Sequence, residues 1–140
     1  MLRRTSRYLP IAAPVAVALL LSPAFASAQV WVITDRQHPV QGKPDRLIEL
    51  DAPPRIEQEL TAGLPRDSSQ AAALVQRRLN QGGNALQQRL GNAYQGVADA
   101  WSLGVQKIPA VVVDKRYVVY GETDVARAVA RIAQHRERRP

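Results

Sequence analysis

The chain has 140 residues, with 19 Lys and Arg against 12 Asp and Glu, a formal charge of +7 and no cysteine. The missing cysteines exclude a disulfide-stapled fold, a thiol nucleophile, a CxxC redox pair and any Cys-based zinc or iron–sulfur site. Two histidines, His38 and His135, leave little for a histidine-rich metal centre, and the length suits one ordinary domain.

Residues 1–28 read as a secretory signal peptide. Arg3, Arg4 and Arg7 make a basic start, Ile11–Leu21 an apolar middle, and Ala26-Ser27-Ala28 a small-x-small end. The apolar run is too short for a membrane span, which needs roughly 20 residues. Ala26 and Ala28 mark the cleavage signal, with the cut before Gln29, so the mature chain is expected in the periplasm without a stable membrane anchor. Loss of the three leader arginines lowers the formal charge from +7 to +4. Arg136, Arg138 and Arg139 carry much of the remainder at the far end, so direct contact with nucleic acid is not expected.

Val30–Ile33 is a continuous β-branched and aromatic run, the pattern of a strand buried on both faces. Asp35–Pro44 holds Pro39, Gly42 and Pro44 and reads as a loop that has room for a short helix. Arg46–Leu50 makes a second short strand, and Asp51-Ala52-Pro53-Pro54 stops it. A short helix follows over Pro54–Leu60. After the capping residues Asp67, Ser68 and Ser69, Ala71, Leu74, Val75, Arg78 and Leu79 keep helical spacing, and Leu86, Leu90, Ala93, Val97 and Trp101 resume it beyond Gly82-Gly83. This is two helices, or one long helix kinked at the paired glycines. Ala110–Val113 and Tyr117–Tyr120 are strands joined by a tight link, hence antiparallel neighbours, and a final helix begins at Thr123 or Asp124. The order is β, β, α, α, β, β, α. Residues 29–135 form the domain and 136–140 a basic, disordered tail.

Gly104-Val105-Gln106-Lys107-Ile108-Pro109-Ala110-Val111-Val112-Val113 resembles the second half of a thioredoxin-like domain. The resemblance implies an α/β fold with a mixed four-stranded sheet and flanking helices. It also implies a cis Pro109 facing the Asp35–Pro39 loop. The departure is the missing CxxC, with Arg36, Gln37 and His38 in its place, which removes thiol–disulfide exchange.

A second resemblance covers most of the mature chain. Val30–Val40, Glu49–Pro53, Gly63-Leu64-Pro65, Ala93–Val97 and Lys107–Gly121 resemble the small exported proteins of integrating conjugative elements. That resemblance implies a component of the type IV secretion apparatus for DNA transfer, with apparatus proteins as partners. Members often have Asp-Gly where this chain has Asp114-Lys115, so Lys115 is expected to bring a different turn.

The expected function is therefore non-catalytic assembly or subunit binding, with no cofactor and no metal. The candidate partner-binding residues are Asp35, Arg36, Gln37, His38 and Pro39 on one side of a groove and Ile108 and Pro109 on the other. Two alternatives stay open, a redox-inactive chaperone-like peptide binder and a hydrolase using Asp35 and His38. Trp31 and Trp101 are both expected in the core.

Overall fold

The computed structural model describes residues 27–138. The expected leader up to Ala26, and tail residues 139–140, lie outside them. Along the described chain the elements are β1 (Val30–Thr34), β2 (Arg46–Glu49), α1 (Ala52–Thr61), α2 (Ser68–Ser102), β3 (Ala110–Val113), β4 (Tyr117–Tyr120) and α3 (Val125–Glu137). The strands form one mixed sheet in the order β2-β1-β3-β4, with β1 parallel to β2, antiparallel to β3, and β3 antiparallel to β4. The fold is thus a mixed α/β structure with a four-stranded sheet and three helices. No helix among the described residues is long and apolar enough to cross a membrane.

The central pair β1–β3 has no polar face, and this follows from its sequence. Val32, Ile33, Val111, Val112 and Val113 are almost fully buried. Alternation along the strands splits them into two apolar clusters. On one face Trp31, Ile33, Ile48, Ala110 and Val112 pack with Ala100 of α2, and Leu103, Val105 and Ile108 close over them. On the other face Val32 and Val111 pack with Val125 and Ala128 of α3.

The connection from β1 to β2, residues 35–45, contains no helix. A parallel pair usually takes a helical crossover. Here the loop is instead tied to the start of α3, where Gln41 N–H donates to Thr123 O (2.9 Å) and Val125 N–H donates to Gln41 O (3.0 Å). Val40 covers part of the sheet face that a crossover helix would otherwise cover.

α2 is one helix with a kink at Gly83, whose φ of 50° and ψ of −144° suit only glycine. Asp67 caps its start by accepting from Gln70 N–H. Its buried face is Leu86, Gly96 and Ala100 rather than the expected stripe ending in Trp101. Trp101 is 82% exposed. It follows Ala100 directly, so it lies about 100° further round the helix, and Ala100 occupies the core position. Gly96 lets the helix approach β2, since a Cβ there would meet Ile48 Cγ2 at 3.1 Å.

Asp114 and Lys115 both take left-handed backbone, with φ of 54° and 53°, within a three-residue link between the paired Val113 and Tyr117. Mutual bonds to Gln29, just before β1, hold the hairpin: Asp114 N–H donates to Gln29 O (2.8 Å), and Gln29 N–H donates to Asp114 Oδ1 (3.0 Å). At the C-terminus α3 continues to Glu137, beyond the expected domain end at 135. Arg136 belongs to the body, pairing with Asp114 at 2.5 Å and lying over the Tyr117 ring at 4.3 Å.

Gly96→Leu is expected to lower stability by about 1–3 kcal/mol through overpacking against Ile48. Gly91→Ala, at an exposed helical position with open space around it, should raise stability by up to about 1 kcal/mol. Urea unfolding of both variants checks the pair; equal effects would contradict a tight α2–β2 contact.

Candidate functional site

Thr34, the last residue of β1, is buried and its hydroxyl donates to His38 O at 2.7 Å. This bond folds the chain back immediately after the strand. Asp35 completes the turn. Its Oδ1 accepts from Gln37 N–H (3.0 Å), His38 N–H (3.1 Å) and the His38 ring at Nδ1 (2.6 Å). A carboxylate only accepts, so the ring donates through Nδ1. The His38 hydrogen bond, the largest cause, together with the imidazole charge and the two amides, holds the Asp35 carboxyl below its ordinary value.

The β1–β3 register pairs Ile33 with Ala110, so the next step along both strands sets Thr34 beside Pro109. The Ile108–Pro109 peptide is cis. Gly121 N–H donates to Pro109 O (2.8 Å), which fastens this corner to the end of β4. The expected site residues thus meet at one end of the sheet, though in unequal roles. Asp35 and His38 are bonded to each other, with side chains 22% and 43% exposed. Arg36, Gln37 and Pro39 face solvent. Pro109 is buried, and Ile108 packs against the core cluster below, so these two support the corner from inside.

Two features were not expected from the sequence. The first is a cleft of about 660 Å³ on the flank of the sheet, lined by all four residues of β2 and walled by α1 and α2. Its charged side chains are largely paired: Arg55 with Glu49 (2.8 Å), Arg89 with Glu59 (3.0 Å), and Arg46 with Asp99 of α2 (2.5 Å). Arg46 and Arg55 frame the strand in the sequence, but only the positions of the two helices turn them into walls. The second lies at the opposite end of the sheet from Pro109. Arg46 and Lys115 both stand over the Trp31 ring, at 4.6 and 4.8 Å, so this tryptophan is covered by cations rather than by further apolar packing.

Chemically, the sheet end presents one oriented imidazole beside one carboxylate. The Thr34 hydroxyl beside them is committed to the His38 carbonyl. Among the described residues no three His, Asp or Glu side chains converge as a metal site. The family model described as "Protein of unknown function (DUF1525)" matches residues 27–138. No curated protein and no solved structure matches the chain.

The lowered Asp35 value fixes a pH dependence. Its contribution to stability is complete above the unfolded carboxyl value and is lost as pH falls through the lower folded value. A carboxyl NMR titration should place Asp35 below ordinary aspartates, and His38→Ala should move it back up. An Asp35 that titrates normally in both chains would contradict the turn geometry.

Proposed function

The chain belongs to the DUF1525 family, and from that premise we propose an exported, periplasmic, non-catalytic protein of thioredoxin-like fold. It serves as an assembly or subunit-binding component of the DNA-transfer apparatus of an integrating conjugative element. The strand order β2-β1-β3-β4 and the antiparallel β3–β4 hairpin support the fold assignment. The helix-free β1–β2 connection departs from it. The conjugative assignment rests on the sequence resemblance, which spans most of the same residues as the family match.

The observation that carries the binding role is the turn at the end of β1. Asp35 fixes its backbone, Pro109 supports it from beneath, and Arg36, Gln37 and Pro39 project from it. A loop held on a rigid sheet and presenting exposed polar side chains has the ordering entropy of binding already met by the fold. Apparatus proteins are the partners, engaged through this loop. No cofactor enters the mechanism.

The Asp35–His38 bond also favours one rival, since a carboxylate orienting an imidazole is part of many hydrolase sites. Deleting the gene and complementing it in a DNA-transfer assay separates the two. Under the binding role, deletion lowers transfer. Arg36→Glu combined with Pro39→Ala fails to restore it and fails to recover apparatus protein from the periplasm, whereas His38→Gln restores both. Transfer unaffected by deletion would overturn the proposal. A His38→Gln chain that binds its partner but does not support transfer would favour the hydrolase.

A further inference from the structure

β2 is the outer strand on its side of the sheet, and its far edge pairs with no strand among the described residues. Such an edge presents unpaired N–H and C=O groups, which folded proteins usually blunt or cover. Here the edge opens into the cleft. All four residues of β2 line it, with α1 and α2 forming walls. Leu47 is 51% exposed, a large apolar side chain in the middle of a four-residue edge strand.

We propose that this cleft takes an extended peptide segment of a partner protein, added to β2 as a fifth strand. Main-chain hydrogen bonding to an open sheet edge is a recurrent mode of peptide recognition, with pockets for alternate side chains setting specificity. The dimensions agree. Four residues of strand span roughly 13 Å, and the volume of about 660 Å³ lies in the range of ligand clefts. A cleft walled by α1 and α2 suits a single extended chain better than a second whole domain.

The chemistry of the segment follows from the charges. Arg46, Arg55 and Arg89 are each satisfied within the protein by Asp99, Glu49 and Glu59. The cleft therefore has no free charge to offer, and Leu47 offers apolar surface. The segment it fits is uncharged, with one apolar side chain beside Leu47. This site lies on the flank of the sheet, apart from the Asp35–Pro39 turn, and it stands or falls independently of the role proposed above.

The test is amide hydrogen exchange on the 15N-labelled full chain. The probe is an acetylated and amidated heptapeptide of alternating threonine and valine, compared with glutamate–valine and lysine–valine versions. The threonine–valine peptide should slow exchange within Arg46–Glu49 and bind most tightly of the three. Leu47→Lys, at an exposed position, should leave the thermal melt in place. It should raise the half-saturating peptide concentration by roughly tenfold or more, the scale of one lost leucine contact. Unchanged β2 amides at millimolar peptide, equal binding by Leu47→Lys, or changes confined to residues 35–39 would each overturn the proposal. So would protection that rises with chain concentration alone, which would assign the edge to a second copy.

Discussion

The antiparallel pairing of β1 with β3 is the constraint on which the rest of the structure depends. Both strands are apolar on both faces, and Val32, Ile33, Val111 and Val112 are almost fully buried. A strand pair of that kind needs cover above and below, so α2 is drawn to one face and α3 to the other. The same register brings the end of β1 to the start of β3, and with it the Asp35–Pro39 turn to Pro109. With no disulfide available, this packing and its hydrogen bonds hold the described residues together.

The two ends of the sheet do different work. At the hairpin end, charges are spent on closure: Asp114 binds Gln29 and Arg136, and Arg46 and Lys115 cover Trp31. The Arg136 guanidinium, the largest cause, holds the Asp114 carboxyl below its ordinary value, as an internal ion pair does. At the other end the polar groups of the turn are bonded to one another, while Arg36, Gln37 and Pro39 stay free. Closure at one end and presentation at the other agree with the binding role proposed for the turn.

Most of the scaffold was legible in the sequence because its signals are local. The Val30–Ile33 and Ala110–Val113 runs announce buried strands, Gly82-Gly83 announces the kink, and Asp124 announces the cap of α3. Trp101 was misread because hydrophobic spacing gives weight to large side chains. The face that packs uses Gly96 and Ala100, whose value is their small size against Ile48 and the core. The seven site residues were legible as neighbours, since strand order and the proline placed them at one end of the sheet. Their unequal exposure was not, because it depends on Ile108 and Pro109 turning inward. The cleft was not legible at all: it arises from where α1 and α2 stand beside β2, and its paired charges look like any solvated face in the sequence.

In the proposed role the Arg36–Pro39 turn is a contact surface for the DNA-transfer apparatus. Photo-cross-linking from a reactive residue at position 36, in cells with and without the apparatus, tests it most directly. The expected result is a product containing an apparatus subunit, formed only when the apparatus is present and absent when the reactive residue is moved to position 84 on α2. No product from position 36, or the same product in cells that lack the apparatus, would contradict it.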